Sequence, residues 1–304
     1  MSVAVVFPGQ GSQSVGMMSV LAERYPEIRS PFEEASRALG YDLWELVAEG
    51  PAEQLNATEF AQPAMLVSDV ALWRVWQSQK NPQAVVMAGH SLGEYAALVC
   101  AGSLGFVDAV QLVRLRGRYM QQAVKEGEGG MAAIIGLDET EVADICETVT
   151  GSGAEGRVSV ANLNSPVQTV IAGNTALVDY AADLARERGA KRAVKLPVSV
   201  PSHCSLMLPA SERLQNALSD ITIRKPDVPV IQNVDAEIHE DPEMIRENLV
   251  RQMYLPVRWV QSVERFSEFG PEGVVECGPG KVLTGLIKRM VSGMSVSAID
   301  TLLQ

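Results

Sequence analysis

Histidine is scarce in this chain, with three among 304 residues, at positions 90, 203 and 239, so the search for a general base is short. Cysteine is nearly as rare: Cys100, Cys146, Cys204 and Cys277 lie far apart and make no CxxC pair. That spacing indicates neither a zinc site nor a redox pair, and the thiols read as packing or pocket-lining groups. Cations are outnumbered, 25 Lys and Arg against 37 Asp and Glu, leaving a formal net charge of −12. Such a balance argues against a nucleic-acid surface, and any anionic partner must find a local basic patch. The longest apolar run, 95–107, is broken by Gly102 and Gly105 and is too short to cross a bilayer, so no membrane association is expected. The first residues lack the basic start and small-residue cleavage site of a signal peptide, and the expected location is cytoplasmic. Repeats and low-complexity tracts are missing too.

What is present is the composition of an ordinary globular protein, 47% hydrophobic and 20% charged, enough for one large or two moderate domains. Short β-rich runs alternate with longer helical patterns in the first half: 3–7, a helix-rich stretch to 79, 84–88, and a helix after Leu92. That order predicts an α/β domain with a parallel sheet. Glycines in Glu126-Gly127-Glu128-Gly129-Gly130 then punctuate the chain. Beyond them 131–137 reads as a strand, and Asp138 with Glu141 forms a capping box that opens a helix. Strands at 158–162 and 168–172, a helix to about 189 and a strand at 192–196 complete a β-α-β-β-α-β order, the ferredoxin-like unit. The expected organisation is a large α/β subdomain from 1–126 and 198–304, interrupted by a small ferredoxin-like subdomain at 127–197. In the returning flank, strands are expected near 228–233 and 273–276, and helices near 243–252 and 282–290.

Gly89-His90-Ser91-Leu92-Gly93 matches the GxSxG elbow, with a plausible buried strand before it and a helix after it. Ser91 would then stand exposed at a helix N-terminus, where backbone N–H groups can stabilise an oxyanion. A second donor is needed from another loop. Phe7-Pro8-Gly9-Gln10-Gly11-Ser12-Gln13 is the obvious source, with Gln10 the candidate amide. As a phosphate cradle that turn lacks the Lys-Ser/Thr ending of a P-loop.

Of the three histidines, His90 adjoins the nucleophile and points elsewhere on a tight turn, which makes it a loop-bracing residue. His239, between Glu237 and Glu240, reads as solvated surface. His203, where the chain re-enters the large domain, is either the base or a core histidine satisfied by hydrogen bonds. No carboxylate between Ser91 and His203 has a distinctive context, so a Ser-His dyad is preferred, its imidazole oriented by a group such as a backbone carbonyl. On the helix 108–124, Arg116 shares the apolar face of Ala109, Leu112, Val113 and Met120, while Arg114 and Arg118 lie away from it. A guanidinium there needs a buried carboxylate partner or a charged ligand.

Four segments together, the Phe7-to-Gln13 turn, Gly89-His90-Ser91-Leu92-Gly93-Glu94, Val198-Ser199-Val200-Pro201-Ser202-His203 and Gly278-Pro279-Gly280-Lys281-Val282-Leu283, resemble the malonyl-CoA:acyl carrier protein transacylases of bacterial fatty acid synthesis. The resemblance implies an α/β-hydrolase-like large subdomain with the ferredoxin-like insert, and a ping-pong transfer of malonyl from coenzyme A to the phosphopantetheine thiol of acyl carrier protein. It implies Ser91 as nucleophile, His203 as base, Arg116 as clamp for the malonyl carboxylate, and the backbone amides of Gln10 and Leu92 as oxyanion hole. It places the group that orients His203 at the main-chain carbonyl of Gln252. Asn162 and Asn164 face the cleft in this reading, as substrate contacts or strand-end caps. No cofactor or metal is implied, and a monomer is expected. A basic rim of Lys191, Arg192, Lys195, Lys281, Lys288 and Arg289 is expected to receive the acidic carrier. Rival readings are an acyltransferase of polyketide or malonate decarboxylase systems, a serine thioesterase or hydrolase, and a catalytically silent carrier-binding protein.

Overall fold

The computed structural model describes every residue except Met1, Lys80, Ala154, Ser199 and Gln304. Its first strand, β1 (Ser2–Phe7), is apolar at nearly every position because both of its faces are covered. The period of two sorts the side chains: Val3, Val5 and Phe7 join one core cluster, and Ala4 and Val6 join another on the opposite face. β1 lies at the centre of a parallel sheet. β2 (Gln83–Gly89) pairs on one side and β8 (Gly273–Glu276) on the other, with β7 (Val230–Ile231) and β9 (Ser295–Ala298) at the edges. Among the described residues the order is β7-β2-β1-β8-β9. The helices Thr58–Ser78 and Phe106–Ala123 contribute to the first cluster, and Trp259, Val263 and Phe266 to the second.

The second sheet is antiparallel, with order β4-β5-β3-β6 built from β3 (Gly129–Ile135), β4 (Val158–Ser165), β5 (Gln168–Asn174) and β6 (Arg192–Lys195). With the helices Glu139–Thr150 and Thr175–Glu187 it realises the βαββαβ order in its ferredoxin-like form. The first of these helices opens on the Asp138–Glu141 capping box, with both reciprocal bonds at 2.9 Å. Ala132 and Ile134 turn toward the two helices, whereas Met131 and Ala133 turn the other way, onto Cys204. The sheet is therefore a two-faced wall, packed by helices behind and open to the large sheet's loops in front. A parallel bridge between Asn162 and Val257, with Leu163 N donating to Val257 O at 2.9 Å, ties the wall down.

One expected strand is cut short. At 228–233 only Val230–Ile231 keeps the ladder, because the next backbone groups bond elsewhere: Gln232 N donates to Glu237 O, and Asn233 N to the buried Glu94 carboxylate at 2.8 Å. The helix expected at 282–290 ends at Ile287. Its start is capped by Glu276, which accepts from Leu283 N at 3.0 Å and Thr284 N at 2.7 Å.

The tightest packing lies where β1, β2 and the helix Gly93–Cys100 converge, since a Cβ on Gly93 would stand 2.0 Å from Phe7 O. Gly285, on the helix Val282–Ile287, faces open space. Gly93→Ala is expected to destabilise the protein by about 3 kcal/mol or to block soluble expression. Gly285→Ala should instead raise stability by roughly 0.5–1 kcal/mol. Urea unfolding midpoints of the two variants check the contrast, and a neutral Gly93→Ala would contradict it.

Candidate active site

β2 runs directly into the helix Gly93–Cys100 through a turn in which Ser91 adopts φ 53°. A left-handed non-glycine residue costs about 1–3 kcal/mol and persists only where its surroundings dictate it. Here they do. Ser91 N donates to Asn233 Oδ1 at 2.7 Å, Asn233 Nδ2 donates to Gly89 O at 2.7 Å, and His90 N donates to Phe7 O at 3.0 Å. Gly89 is obligatory because a Cβ there would meet the Gly93 carbonyl carbon at 1.9 Å. The result is a half-buried hydroxyl at a helix N-terminus.

His203 also has positive φ, 62°, on a backbone pinned by its N–H donating to Met253 O at 3.0 Å. Its Nε2 lies 2.8 Å from Ser91 Oγ and its Nδ1 2.7 Å from Gln252 O. A carbonyl only accepts, so Nδ1 carries the proton and Nε2 presents its lone pair to the serine. Gln252 directly follows the helix Pro242–Arg251 and so lies at the negative end of the helix dipole. Burial pushes His203 down to about 3, helped by the Arg116 cation and opposed by the Gln252 hydrogen bond. The imidazole is neutral at physiological pH, as an acceptor from serine must be.

Arg116 is 1% exposed and lies on the inward face of the helix Phe106–Ala123. Nη1 donates to Gln62 Oε1 at 2.9 Å, and Nη2 donates to Gln252 Oε1 at 2.9 Å and to Ser91 Oγ at 3.2 Å. The guanidinium also sits 5.4 Å from the centre of the Tyr95 ring. Its hydrogen-bond acceptors are all neutral, Nε has no partner, and among the described residues no carboxylate forms an ion pair with it. Of the two possibilities for such an arginine, the internal salt bridge is not built. Arg114, expected to face away, bonds Glu59 at 3.2 Å and Leu39 O at 2.8 Å.

The turn after β1 lies flat against the elbow. A Cβ on Gly9 would stand 2.5 Å from His90 O and 3.7 Å from Leu92 N, and one on Gly278 would stand 2.3 Å from the Pro8 ring. Gln10 and Leu92 line one cavity beside this sandwich, and neither backbone N–H donates to a backbone carbonyl among the described residues. A cavity of about 250 Å³ joins Gln10, Ser91, Leu92, Arg116 and His203 under a roof formed by Met131, Asn162 and Val170 of the small sheet. Asn164 lines it as well and holds His90, whose Nε2 is 2.8 Å from Asn164 Oδ1 and whose ring packs edge-on against Trp259. Ser199, between Val198 and Val200 of the wall, lies outside the described residues.

Three residues escape sequence reasoning. Gln62 and Asn233 have no local signal, since their partners lie 54 and 142 positions away in the chain. Glu94 does leave one: it is the sole charged residue in an apolar run, Glu94-Tyr95-Ala96-Ala97-Leu98, and it is fully buried. His239, read as solvated, is partly buried and lies 2.9 Å from Asp235 Oδ2. Of the six rim cations, all exposed, Lys195 is tied to Asp179 at 3.0 Å. Among the described residues no cluster of His, Cys, Asp and Glu could hold a metal ion, and no helix is long and apolar enough to cross a membrane.

Comparison with known proteins agrees with this geometry. The acyl transferase domain family matches residues 4–302. The malonyl CoA-acyl carrier protein transacylase of Salmonella typhimurium is 55% identical over 298 residues, 98% of this chain and 95% of that protein. The solved structure of the malonyl CoA-acyl carrier protein transacylase from Coxiella burnetii superposes with a TM-score of 0.96 at 50% identity, covering 100% of this chain and 95% of that one. A malonyl-transacylase solved in complex with its type II PKS acyl-carrier protein superposes with a TM-score of 0.95 at 51% identity, covering 98% and 96%. A serine elbow, a histidine held by a main-chain carbonyl and an unpaired buried arginine thus coincide with likeness along nearly the full length: the chain belongs to the acyl transferase domain family, among the malonyl CoA-acyl carrier protein transacylases.

Proposed function

We propose that the protein transfers the malonyl group of malonyl-CoA to the phosphopantetheine thiol of an acyl carrier protein through a malonyl ester on Ser91, supplying fatty acid elongation. The observation that carries this reading is the Arg116 guanidinium, buried, without a carboxylate partner and 3.2 Å from the Ser91 hydroxyl. A cation in that place has unmet demand for an anion, and a planar guanidinium suits a carboxylate. Malonyl carries a free carboxylate, whereas acetyl and longer fatty acyl groups do not.

In the first half-reaction Ser91 Oγ attacks the thioester carbonyl as its proton passes to His203 Nε2. The oxyanion is received by the N–H groups of Gln10 and Leu92, whose free donors support this role. His203 then protonates the departing sulfur, and coenzyme A leaves as the thiol. In the second half-reaction the carrier thiol gives its proton to His203 and attacks the malonyl ester, and Ser91 recovers its proton. The substrate also tunes the base. Arg116 is the second cause that holds His203 down, after burial. A malonate carboxylate on Arg116 offsets that charge and raises the basicity of His203 once the right acyl group is bound. The dyad needs no acid, because the Gln252 carbonyl orients the imidazole in the place of a carboxylate.

The solved neighbour bound to a polyketide carrier supports a protein carrier as acceptor and favours, as a second reading, service to a polyketide carrier by the same chemistry. Exposed Lys281, Lys288 and Arg289 adjoin the cavity-lining Val282, Leu283 and Leu286, a cationic rim suited to an acidic carrier.

Intact mass after brief exposure to malonyl-CoA should show a malonyl adduct, lost in Ser91→Ala. In Arg116→Ala the malonyl loading rate should fall at least about thirtyfold while acetyl loading survives. No adduct with either thioester in the parent protein would sink the transferase reading. For the rim, the double variant Lys288→Glu with Arg289→Glu should raise KM for the carrier about three- to tenfold and leave KM for malonyl-CoA unchanged. Equal rises in both would remove this surface from carrier docking.

A further inference from the structure

The acyl-transfer reading leaves one buried charge beside the nucleophile without a role. Glu94 sits in the first turn of the helix Gly93–Cys100 and is 1% exposed. Its Oε2 accepts from Asn233 N at 2.8 Å and Gln252 Nε2 at 3.0 Å, and its Oε1 accepts from Gln232 Nε2 at 3.1 Å. All three partners are neutral donors.

Two chains of hydrogen bonds end on this carboxylate, and each starts at an arginine. In the short chain, Arg116 Nη2 donates to Gln252 Oε1 at 2.9 Å and Gln252 Nε2 donates to Glu94. In the longer chain, Arg251 Nη1 donates to Asn248 Oδ1 at 3.2 Å, Asn248 Nδ2 donates to Gln232 Oε1 at 3.2 Å, and Gln232 Nε2 donates to Glu94. An arginine side chain has no acceptor and an ionised carboxylate has no donor, so every amide between them can face only one way. Were the Gln252 amide turned over, its NH2 would oppose the Arg116 donors and its oxygen would oppose Glu94.

Gln252 is also the point where the reacting groups meet. Its main-chain carbonyl accepts from His203 Nδ1 at 2.7 Å, and its Nε2 donates to Ser91 O at 3.0 Å. We propose that Glu94 is the positioning residue of this site: its carboxylate, the shared end of two one-way hydrogen-bond chains, fixes the Gln252 side chain and thereby the aim of Arg116 at the free carboxylate of the acyl group. That aim at an acyl carboxylate rests on the acyl-transfer reading. The role differs from catalysis, since Glu94 touches neither Ser91 Oγ nor the cavity.

The ionisation of Glu94 gives the proposal a signature. Burial pushes its carboxyl up to about 7 against the three donors that lower it. The charged and titratable groups around it are Arg116 and Tyr95, Asp235 with its partner His239, and Arg251 at the far end of the longer chain. Tyr95 is held at about 12 and His203 at about 3, so neither titrates near neutrality. A proton on Glu94 turns an acceptor into a donor where three donors already converge, and the Gln252 amide loses its fixed orientation. Malonate's own carboxylate stays ionised throughout the neutral range.

The experiment compares rates of Ser91 acylation by malonyl-CoA and by acetyl-CoA, read by quenched intact mass between about pH 5 and pH 9, for the parent and Glu94→Gln. In the parent, the malonyl-to-acetyl rate ratio should fall about tenfold as a single ionisation near neutrality, the size of one lost charge-assisted hydrogen bond. Glu94→Gln should hold the low ratio at every pH, with a raised KM for malonyl-CoA and acetyl loading within about threefold of the parent. A flat ratio in the parent overturns the proposal, as does a variant that loses both loadings equally. If Glu94→Gln does not fold, the parent's profile decides alone. No acyl adduct in the parent overturns the acyl-transfer reading itself, whereas normal loading with a flat ratio overturns the positioning role only.

Discussion

A guanidinium taken out of water must recover its hydration from whatever the protein sets beside it, and the surroundings of Ser91 are organised by that demand. Burial of an isolated charge costs several kcal/mol, and an ordinary interior answers with a carboxylate in contact. Around Arg116 the answer is three neutral acceptors, Gln62, Gln252 and the Ser91 hydroxyl, and the face of an aromatic ring. Neutral acceptors satisfy geometry without cancelling charge, which keeps the positive potential available to an incoming anion. The negative charge that balances it, Glu94, is kept one side chain away, behind Gln252.

That separation explains several features that look independent. The helix Pro242–Arg251 must end at Gln252 so that one residue offers a free main-chain carbonyl to His203 and an amide to Arg116. β7 must stop after Ile231 so that Gln232 and Asn233 leave the ladder and turn their groups to Glu94, Gly89 and Ser91. The positive φ of Ser91 and that of His203 are the local strains produced where these requirements meet. The resting pair has the histidine neutral and its lone pair directed at the serine.

The small sheet completes the site from the other side. Its strands alternate, one set of side chains packed on the two helices behind and the other set closing the cavity above Ser91. An antiparallel sheet with one face turned to a cleft needs a rigid tether, and the Asn162–Val257 bridge supplies one at the strand nearest the polar lining. The cavity above Ser91 is thus enclosed between two layers held in register.

Much of this was legible in the sequence. The elbow could be read because its requirements are local: a strand, two glycines where backbones touch, and a serine at a helix start. The capping box and the βαββαβ order are local for the same reason. His203 emerged by elimination among three histidines, and Arg116 because a cation on an apolar helix face is conspicuous. The Gln252 carbonyl came only through family resemblance, since a main-chain acceptor leaves no trace in residue identity. Gln62, Asn233 and the purpose of Glu94 were silent, because amide side chains occur everywhere and their partners lie far off in the chain. By itself, then, the sequence determined the layers, the serine elbow and the ion that needs a partner, all set by short-range backbone geometry and hydrophobic period. Only the tertiary structure decided which groups meet that ion and how each amide is turned, because hydrogen-bond direction is settled by donors and acceptors that the fold alone brings together.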